Sequence, residues 1–182
     1  EFRRVLFRSN IDYTIDVSNL IVIIGGFIAF GKWIYEIVQN YKWERNKYLL
    51  DKLEDFRTKD NTKIVHQILD WNNSKVKIND SEIKVDDPLI ISSLDLHSER
   101  SVFQKEELLL RNIFDCYFDN LTTMVFMVKV GLINEDHFRN FMDYWFKILK
   151  GEKSKPKIFK EKIKNYMNFY GYQELYDFII EK

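Results

Sequence analysis

Four ionisable residues recur at every fourth position in the middle of the chain: Glu107, Arg111, Asp115 and Asp119. On an α-helix this spacing places them along one slowly drifting face, and residues four apart are close enough to form ion pairs. Apolar residues surround them within residues 108–121, which predicts a largely buried helix. Two interpretations follow: a polar site, such as a carboxylate pair that binds a cation, or an ion-pair ladder that fixes helix packing. The ladder is favoured, because buried paired charges often specify register rather than catalyse.

The other residues that commonly act in catalysis or metal binding are scattered. His66, His97 and His137 are not three or four residues from one another or from Cys116, the single cysteine. HExxH, CxxC and the glycine motifs of nucleotide-binding loops are absent, and His97-Ser98 is not accompanied by a GxSxG motif. Cys116 has apolar neighbours and is predicted to be a small core residue. No catalytic residue, metal site or cofactor is therefore predicted.

A second feature is a cluster of eight lysines within residues 147–164, accompanied by two glutamates. Lys157, Lys160 and Lys164 share one face of a predicted helix. The favoured interpretation is a solvated helix face. The alternative is contact with anionic lipids of the inner leaflet, where each lysine contributes about 1 kcal/mol. Nucleic acid is not an expected partner, because the aromatic residues between these lysines have the spacing of core positions.

Composition limits the class of protein. The 182 residues are 46% hydrophobic and 16% aromatic, which excludes disorder for most of the chain. One cysteine excludes a disulfide framework, and six glycines and two prolines are too few for a turn-rich all-β fold. The net charge of zero argues against a general nucleic-acid binder. It is a cancellation, however, between an acidic region, residues 80–146, and the lysine cluster.

An uncharged segment, residues 17–31, precedes these features, and apolar residues continue to Val38 with only Lys32 and Glu36 between them. Amphipathic aromatic residues of the kind enriched at membrane interfaces follow at four positions: Trp33, Tyr35, Tyr41 and Trp43. Lys32 can extend its ammonium group to the lipid headgroups. The favoured prediction is a transmembrane helix with its interface over residues 17–40, because no helix breaker follows.

Two alternatives to the transmembrane helix remain open. A signal peptide could be cleaved near Ala29-Phe30-Gly31, a loose small-x-small site. A buried core helix is the other alternative, since an apolar run of this length is short for a span, which needs about 20 residues.

Flanking charges orient the predicted span. The first nine residues, EFRRVLFRS, resemble a translated sequencing-adapter oligonucleotide and are not expected to belong to the native protein. Residues 10–16 then form a short extracytoplasmic segment that contains Asp12 and Asp16, whereas Lys42, Arg45 and Lys47 follow the span. The positive-inside rule therefore places residues 41–182 in the cytoplasm.

The cytoplasmic part is predicted to be an all-α helical bundle with one small β-hairpin at residues 74–85, around the turn residues Asn79-Asp80-Ser81. A capping box at Ser101–Gln104 opens the longest helix of this part. Glycines at 131, 151 and 171 end helices. The predicted helices are residues 41–57 (continuing the span), 61–71, 87–94, 102–129, 135–149, 156–170 and 172–180. The first has an apolar stripe of Tyr48, Leu49, Leu53 and Phe56, and the second carries the apolar residues Ile64, Val65, Ile68, Leu69 and Trp71.

Several short motifs carry a family resemblance. They are WERNKYLLDKLEDF after the span, ILDWN at 68–72, the Glu107-Arg111-Asp115 pattern, GLI at 131–133, YW at 144–145 and NFYGY at 168–172. Together they resemble a group of small bacterial membrane-anchored helical proteins that is classed as a domain of unknown function. The resemblance covers most of residues 20–175. It implies a bacterial protein of the same architecture and carries over no catalytic residue.

The functional expectation is a membrane-anchored accessory, scaffold or sensing module in the bacterial inner membrane, with a single span and a cytoplasmic C-terminal domain. Its expected partners are the lipid bilayer, anionic lipids of the inner leaflet and an unidentified protein, which could bind residues 72–101 or the lysine face. The alternative is a membrane-tethered enzyme or ligand sensor that uses Glu107, Arg111 and Asp115, with His97 as a further candidate. A solvent-connected pocket beside these residues would favour the alternative, and a sealed, paired arrangement would not.

Overall fold

The computed structural model describes residues 17–71, 73–78, 81–153 and 155–181. Over these residues the chain is all-α with one two-stranded antiparallel hairpin, as predicted. The elements are α1 (Val17–Thr58), α2 (Asp60–Asp70), β1 (Ser74–Ile78), β2 (Ser81–Val85), α3 (Asp87–Ser93), α4 (Lys105–Lys129), α5 (Glu135–Leu149), α6 (Lys157–Phe169) and α7 (Gln173–Ile180). The adapter-like residues 1–9, the predicted segment 10–16, and Asn79 and Asp80 of the predicted turn lie outside the described residues.

Helix α1 is one continuous helix, and the chain divides within it into two units, Glu1–Trp43 and Glu44–Lys182. In the first unit, the apolar side chains that the structure describes are exposed. The alternative of a buried core helix is therefore wrong for this segment. In the second unit, Leu49, Leu53 and Phe56 form the predicted apolar stripe and are buried, because positions four and seven apart share a helix face.

Helix α2 and the hairpin cover one side of the second unit's core. The hairpin pairs Val76 with Ile83, and its inward side chains alternate with exposed lysines, as the period of a strand requires. Val65, one of the apolar residues of the predicted helix 61–71, is buried. Trp71, the last of these apolar residues, is 67% exposed. It follows the last helical residue, Asp70, and its extended backbone takes it out of the helical periodicity.

Helix α4 is central to the second unit. It packs against α2, α3 and α7, and α6 packs against α3 and α7. The largest fully buried side chains are aromatic and come mainly from α4 and α6: Phe114, Tyr117, Phe118, Phe138, Phe159 and Tyr166. Burial of such rings is the main stabilising contribution to a core of this kind, at about 25 cal/mol per Å² of apolar surface.

The start and the surface of α4 differ from the prediction. The helix begins at Lys105, three residues later than predicted, and its N-cap is Gln104. The backbone N–H of Gln104 donates to the Glu107 carboxylate at 2.7 Å, so this glutamate closes the first turn. Leu108 is 44% exposed, and Cys116, predicted to lie in the core, is exposed as well. The apolar neighbours of Cys116 in sequence face other directions around the helix.

Two of the predicted glycine stops illustrate how the helices end. Gly131 and Gly151 have φ values of +76° and +70°, which favour glycine because a Cβ there would be strained. After each glycine, the next backbone N–H returns to the helix: Leu132 donates to Met127 O and Glu152 to Lys147 O, both at 2.9 Å. These turns redirect the chain from α4 to α5 and from α5 to α6.

Candidate functional site

The predicted polar residues of α4 meet the loop between α3 and α4, where Arg111 is the centre. Its side chain is buried, with only 4% of the residue exposed. The guanidinium donates to the backbone carbonyls of Ser93 at 2.8 Å and Asp95 at 2.5 Å, and to the Tyr170 hydroxyl at 2.7 Å. Since Ser93 is the last residue of α3, Arg111 satisfies carbonyls that this helix end leaves free.

Three aromatic rings enclose the same guanidinium. Its carbon lies 4.5 Å from the ring centre of Phe103, 5.1 Å from that of Tyr166 and 5.3 Å from that of Tyr170. A planar, weakly hydrated guanidinium can be buried against aromatic faces more readily than an ammonium group can. We call Arg111, Phe103, Tyr166 and Tyr170 the Arg111 cluster. It joins α4, α6 and the loop before α4.

Glu107 does not pair with Arg111. Its carboxylate accepts from Arg100 at 2.8 Å and from the Gln104 N–H, and it is buried. Burial raises the pKa of Glu107, but the hydrogen bonds from Arg100 and Gln104 outweigh it and leave the pKa below its usual value. The carboxylate therefore stays ionised at neutral pH and holds the loop residue Arg100 against α4.

Asp115 and Asp119 pair with tyrosines of the C-terminal part of the chain. Tyr166 donates to Asp115 at 2.6 Å, and Tyr172 donates to Asp119 at 2.9 Å. Burial raises the pKa of Asp115, although the hydrogen bond from Tyr166 opposes this. Burial and the neighbouring carboxylates raise the pKa values of both tyrosines, so each phenol keeps its proton and acts as a donor.

The predicted ion-pair ladder is therefore wrong in its partners. Among the described residues, no salt bridge joins Arg111 to Glu107 or to Asp115. We call Glu107, Arg111, Asp115 and Asp119 the ridge. Each of the four is instead bound to a residue outside α4. The ridge does fix packing, as expected from the favoured interpretation, but it does so across elements and not along α4.

The four residues lie apart from four well-formed surface grooves of the second unit. Two of these grooves have volumes of about 500 Å³ and two of about 260–280 Å³. One is lined by α1, α2 and α5, one by α1 and α4, one by α5 and α7, and one by α2 and the hairpin. None of their lining residues is Glu107, Arg111, Asp115 or Asp119. The arrangement therefore offers a bound substrate no access to these charges through the four grooves.

The histidines are placed separately. His97 is exposed, and its ring contacts the edge of Phe103 with centres 5.0 Å apart, while its backbone N–H donates to Tyr170. His137 is exposed in the first turn of α5, where its N–H donates to the capping residue Asn134. Within the described part of the chain, no three residues among His, Cys, Asp and Glu are grouped so that they could hold a metal ion.

A cluster around His66 was not anticipated from the sequence. The imidazole stacks on the Trp145 indole with ring centres 3.5 Å apart, and Nε2 lies 3.3 Å from the Tyr117 hydroxyl. Burial, and secondarily the charge of Arg57, lowers the pKa of His66 to about 4. The position of His66 beside the buried Val65 was the available signal, since it places the ring at the edge of the apolar face of α2.

The predicted lysine face lies on the exposed side of α6. Lys157, Lys160 and Lys164 are exposed, whereas the neighbouring Lys162 binds Asp95 at 2.6 Å. Lys155 binds Asp87 at 3.0 Å with its side chain almost fully buried. The lysine cluster therefore divides into lysines that bridge structural elements and lysines that remain on the surface.

The predicted interface aromatics Trp33, Tyr35, Tyr41 and Trp43 are exposed along α1. Helix α1 is long and apolar enough to cross a membrane, a property that membrane spans and signal sequences share. Comparisons of the chain with protein-family models, with curated proteins and with solved structures found no match. The fold and these sites therefore carry the functional argument, and the family resemblance stays a prediction.

Proposed function

We propose that this chain is a single-pass membrane protein whose helical part acts by binding, as an accessory, scaffold or sensing module. The observation that carries the proposal is the exposed apolar first part of α1. An apolar surface of this extent is not stable against water and is normally covered by a membrane or a partner.

The dimensions of the segment support a span. From Val17 to Val38 the helix rises by about 33 Å, compared with about 30 Å for the hydrocarbon core of a bilayer. The two charged residues in this segment, Lys32 and Glu36, are one turn apart, with Nζ and Oε1 3.8 Å from each other. Mutual pairing near the end of the segment reduces the cost of placing them close to the hydrocarbon region.

The exposed residues beyond Gly31 weigh against a cleaved signal peptide. Cleavage there would leave Trp33, Ile34, Tyr35 and Ile37 at the new N-terminus, and all four are exposed on α1. Such a product would still present an apolar helix to water. A retained anchor covers the same residues with lipid.

The residues that follow the span favour a cytoplasmic location for the second unit. Lys42, Arg45 and Lys47 lie within about 10 residues of Val38, and basic residues this close to a span are typical of the cytoplasmic side. Together with the resemblance to a bacterial membrane-anchored group, this favours the inner membrane of a bacterium.

The Arg111 cluster weighs against a catalytic role for its charge. The guanidinium is bound by other groups of the chain, and none of the four grooves reaches it. The alternative, a membrane-tethered enzyme or ligand sensor that uses Glu107, Arg111 and Asp115, requires a solvent-connected pocket, and none of the four grooves supplies one.

Extraction of bacterial membranes with alkaline carbonate tests the proposal. We expect the expressed full chain to remain in the membrane pellet, and release into the soluble fraction would contradict a span. Intact-mass measurement of the same material separates the two membrane-related alternatives. A retained anchor keeps residues 17–31, whereas a product that begins at about residue 32 would show a signal peptide.

A further inference from the structure

Three lysines of the cluster at residues 147–164 are bound to carboxylates within the second unit. Lys147 binds Asp143 at 2.6 Å, and Lys155 and Lys162 make the bridges to α3 and the α3–α4 loop described above. Their charges are locally compensated. Any interaction of the cluster with an external partner therefore depends on the remaining exposed lysines.

The exposed lysines include Lys153, Lys157, Lys160 and Lys164. Among the described residues, no carboxylate lies within salt-bridge distance of their ammonium groups. These four lysines outnumber the two glutamates of the same segment, Glu152 and Glu161, which are also exposed. The surface is therefore positively charged, with a small net excess.

The contacts show that these lysines share one surface with exposed aromatic residues. Gly151 lies so close to α6 that a Cβ on it would come within 2.8 Å of the Lys160 Cβ. Two residues later, Lys153 places its ammonium group 4.8 Å from the ring centre of Tyr144. The Tyr144 hydroxyl donates to Asp70, and the exposed Trp71 follows directly. We call Tyr144, Lys153, Lys157, Lys160 and Lys164 the Lys–Tyr surface, with Trp71 at its margin.

We propose that the Lys–Tyr surface docks on the anionic lipid headgroups of the leaflet next to the second unit. Lysine ammonium groups at a membrane surface interact with negative headgroups without defined geometry, and tyrosine and tryptophan are the residues enriched at that interface. The small net charge suits a tethered unit, because the proposed span raises the effective concentration of lipid and weak attraction suffices.

This inference rests on the proposed function, since a chain without a span has no fixed leaflet beside it. The hairpin provides a matched control surface. Lys75, Lys77 and Lys84 are also exposed, but Lys75 is bound to Glu82 at 3.2 Å, and the hairpin carries no aromatic residue. A purely electrostatic, unspecific attraction would act on both surfaces, whereas docking acts on the Lys–Tyr surface.

Amine acylation of the full chain in lipid nanodiscs, read out by peptide mass spectrometry, tests the docking. One set of nanodiscs contains phosphatidylcholine alone and the other includes phosphatidylglycerol. We expect acylation of Lys157, Lys160 and Lys164 to fall by about threefold or more in the anionic nanodiscs at low salt. Acylation of Lys75 and Lys77 is expected to stay the same, and high salt should restore the reactivity of the α6 lysines.

Two triple variants provide the controls. Lys157→Glu/Lys160→Glu/Lys164→Glu is expected to remove the lipid-dependent protection of Lys153, whereas Lys75→Glu/Lys77→Glu/Lys84→Glu makes the same change in charge and should leave it. Equal protection in both lipids, or protection that the α6 variant retains, would show that something other than anionic lipid covers the surface. An incorporated chain with no protection overturns the docking and leaves the span intact. A chain that does not enter nanodiscs overturns both.

Discussion

In the first part of α1, residues 17–43, apolar side chains are exposed, whereas at the centre of the second unit the charged Arg111 side chain is buried. The two regions differ in the groups that surround their side chains. Arg111 has two carbonyls, a hydroxyl and three aromatic faces around it. The apolar side chains of residues 17–38 that the structure describes are exposed instead. Burial of a charge is thus compensated within the chain, and exposure of apolar surface is compensated, on our proposal, by lipid.

The largest effect is expected from charges placed in the exposed part of α1. The double variant Ile23→Arg/Ile24→Arg should abolish membrane retention, because each arginine near the centre of a span costs about 2.5–3.5 kcal/mol. Carbonate extraction measures the retained fraction. Leu50→Arg is the matched control, since Leu50 is equally apolar and exposed but lies in the second unit. If the double variant is retained as well as this control, α1 is held by something other than a bilayer.

The next largest effect is expected from Arg111→Met. The variant leaves Ser93 O, Asp95 O and the Tyr170 hydroxyl without their donor, and we expect it to lower the free energy of unfolding by about 3 kcal/mol. Urea unfolding of the full chain in detergent, followed by tryptophan fluorescence, measures this change.

Two further variants define what Arg111 contributes. Arg111→Lys keeps the charge but not the planar fork, so a loss close to that of the methionine variant would assign the effect to geometry. Arg57→Met, at an exposed position, should cost less than about 0.5 kcal/mol. A loss at Arg111 no larger than this would mean that its buried contacts do not stabilise the fold.

A smaller, pH-dependent effect on stability is expected from the protonation of His66. Its pKa in the folded chain is about 4, below the usual value of 6.5, so the unfolded chain binds more protons between these pH values. Stability from this group is therefore complete above pH 6.5 and is lost as the pH falls towards 4. We expect a loss of about 2 kcal/mol, less than the full shift would give because the ring is partly open to water.

Comparison with His66→Phe isolates this contribution. Phenylalanine keeps a ring against Trp145 and does not titrate, so its unfolding free energy should depend less steeply on pH between 6.5 and 4. Carboxylates that titrate in the same range affect both chains equally. Parallel pH profiles for the two chains would show that protonation of His66 does not oppose folding.

The sequence predicted the elements better than the contacts of charged residues. Apolar periodicity and glycine stops located the helices because these signals are local, and Leu49, Leu53 and Phe56 have the predicted burial. The partners of Arg111 were not predictable in the same way, since Ser93, Asp95 and Tyr170 come from other elements. The spacing along α4 correctly identified the charged face, but it predicted the wrong partners for the residues on it.

Burial expected from periodicity was wrong at two single positions. At one, the helical period was extended past the end of a helix, and at the other no neighbouring element covers the residue. Trp71 follows the end of α2, and Cys116 lies on a turn of α4 that other helices leave uncovered. At His66 nothing in the sequence indicated the lowered pKa. Its neighbours Trp145 and Tyr117 belong to α5 and α4, and the lowered pKa depends on packing between three helices.

The smallest effect is expected from a charge on the exposed face of the hairpin. Lys84 lies directly opposite Lys75, and like charges in this register repel. Lys84→Glu should therefore raise the free energy of unfolding by about 0.3 kcal/mol, and Lys84→Gln by about half as much, because glutamine removes repulsion without adding attraction. High salt should remove most of the difference, since both side chains are exposed to solvent. A gain that persists in high salt would require a contact other than charge. A gain in unfolding free energy as large as the loss expected for Arg111→Met would mean that solvent exposure does not weaken charge interactions on the hairpin.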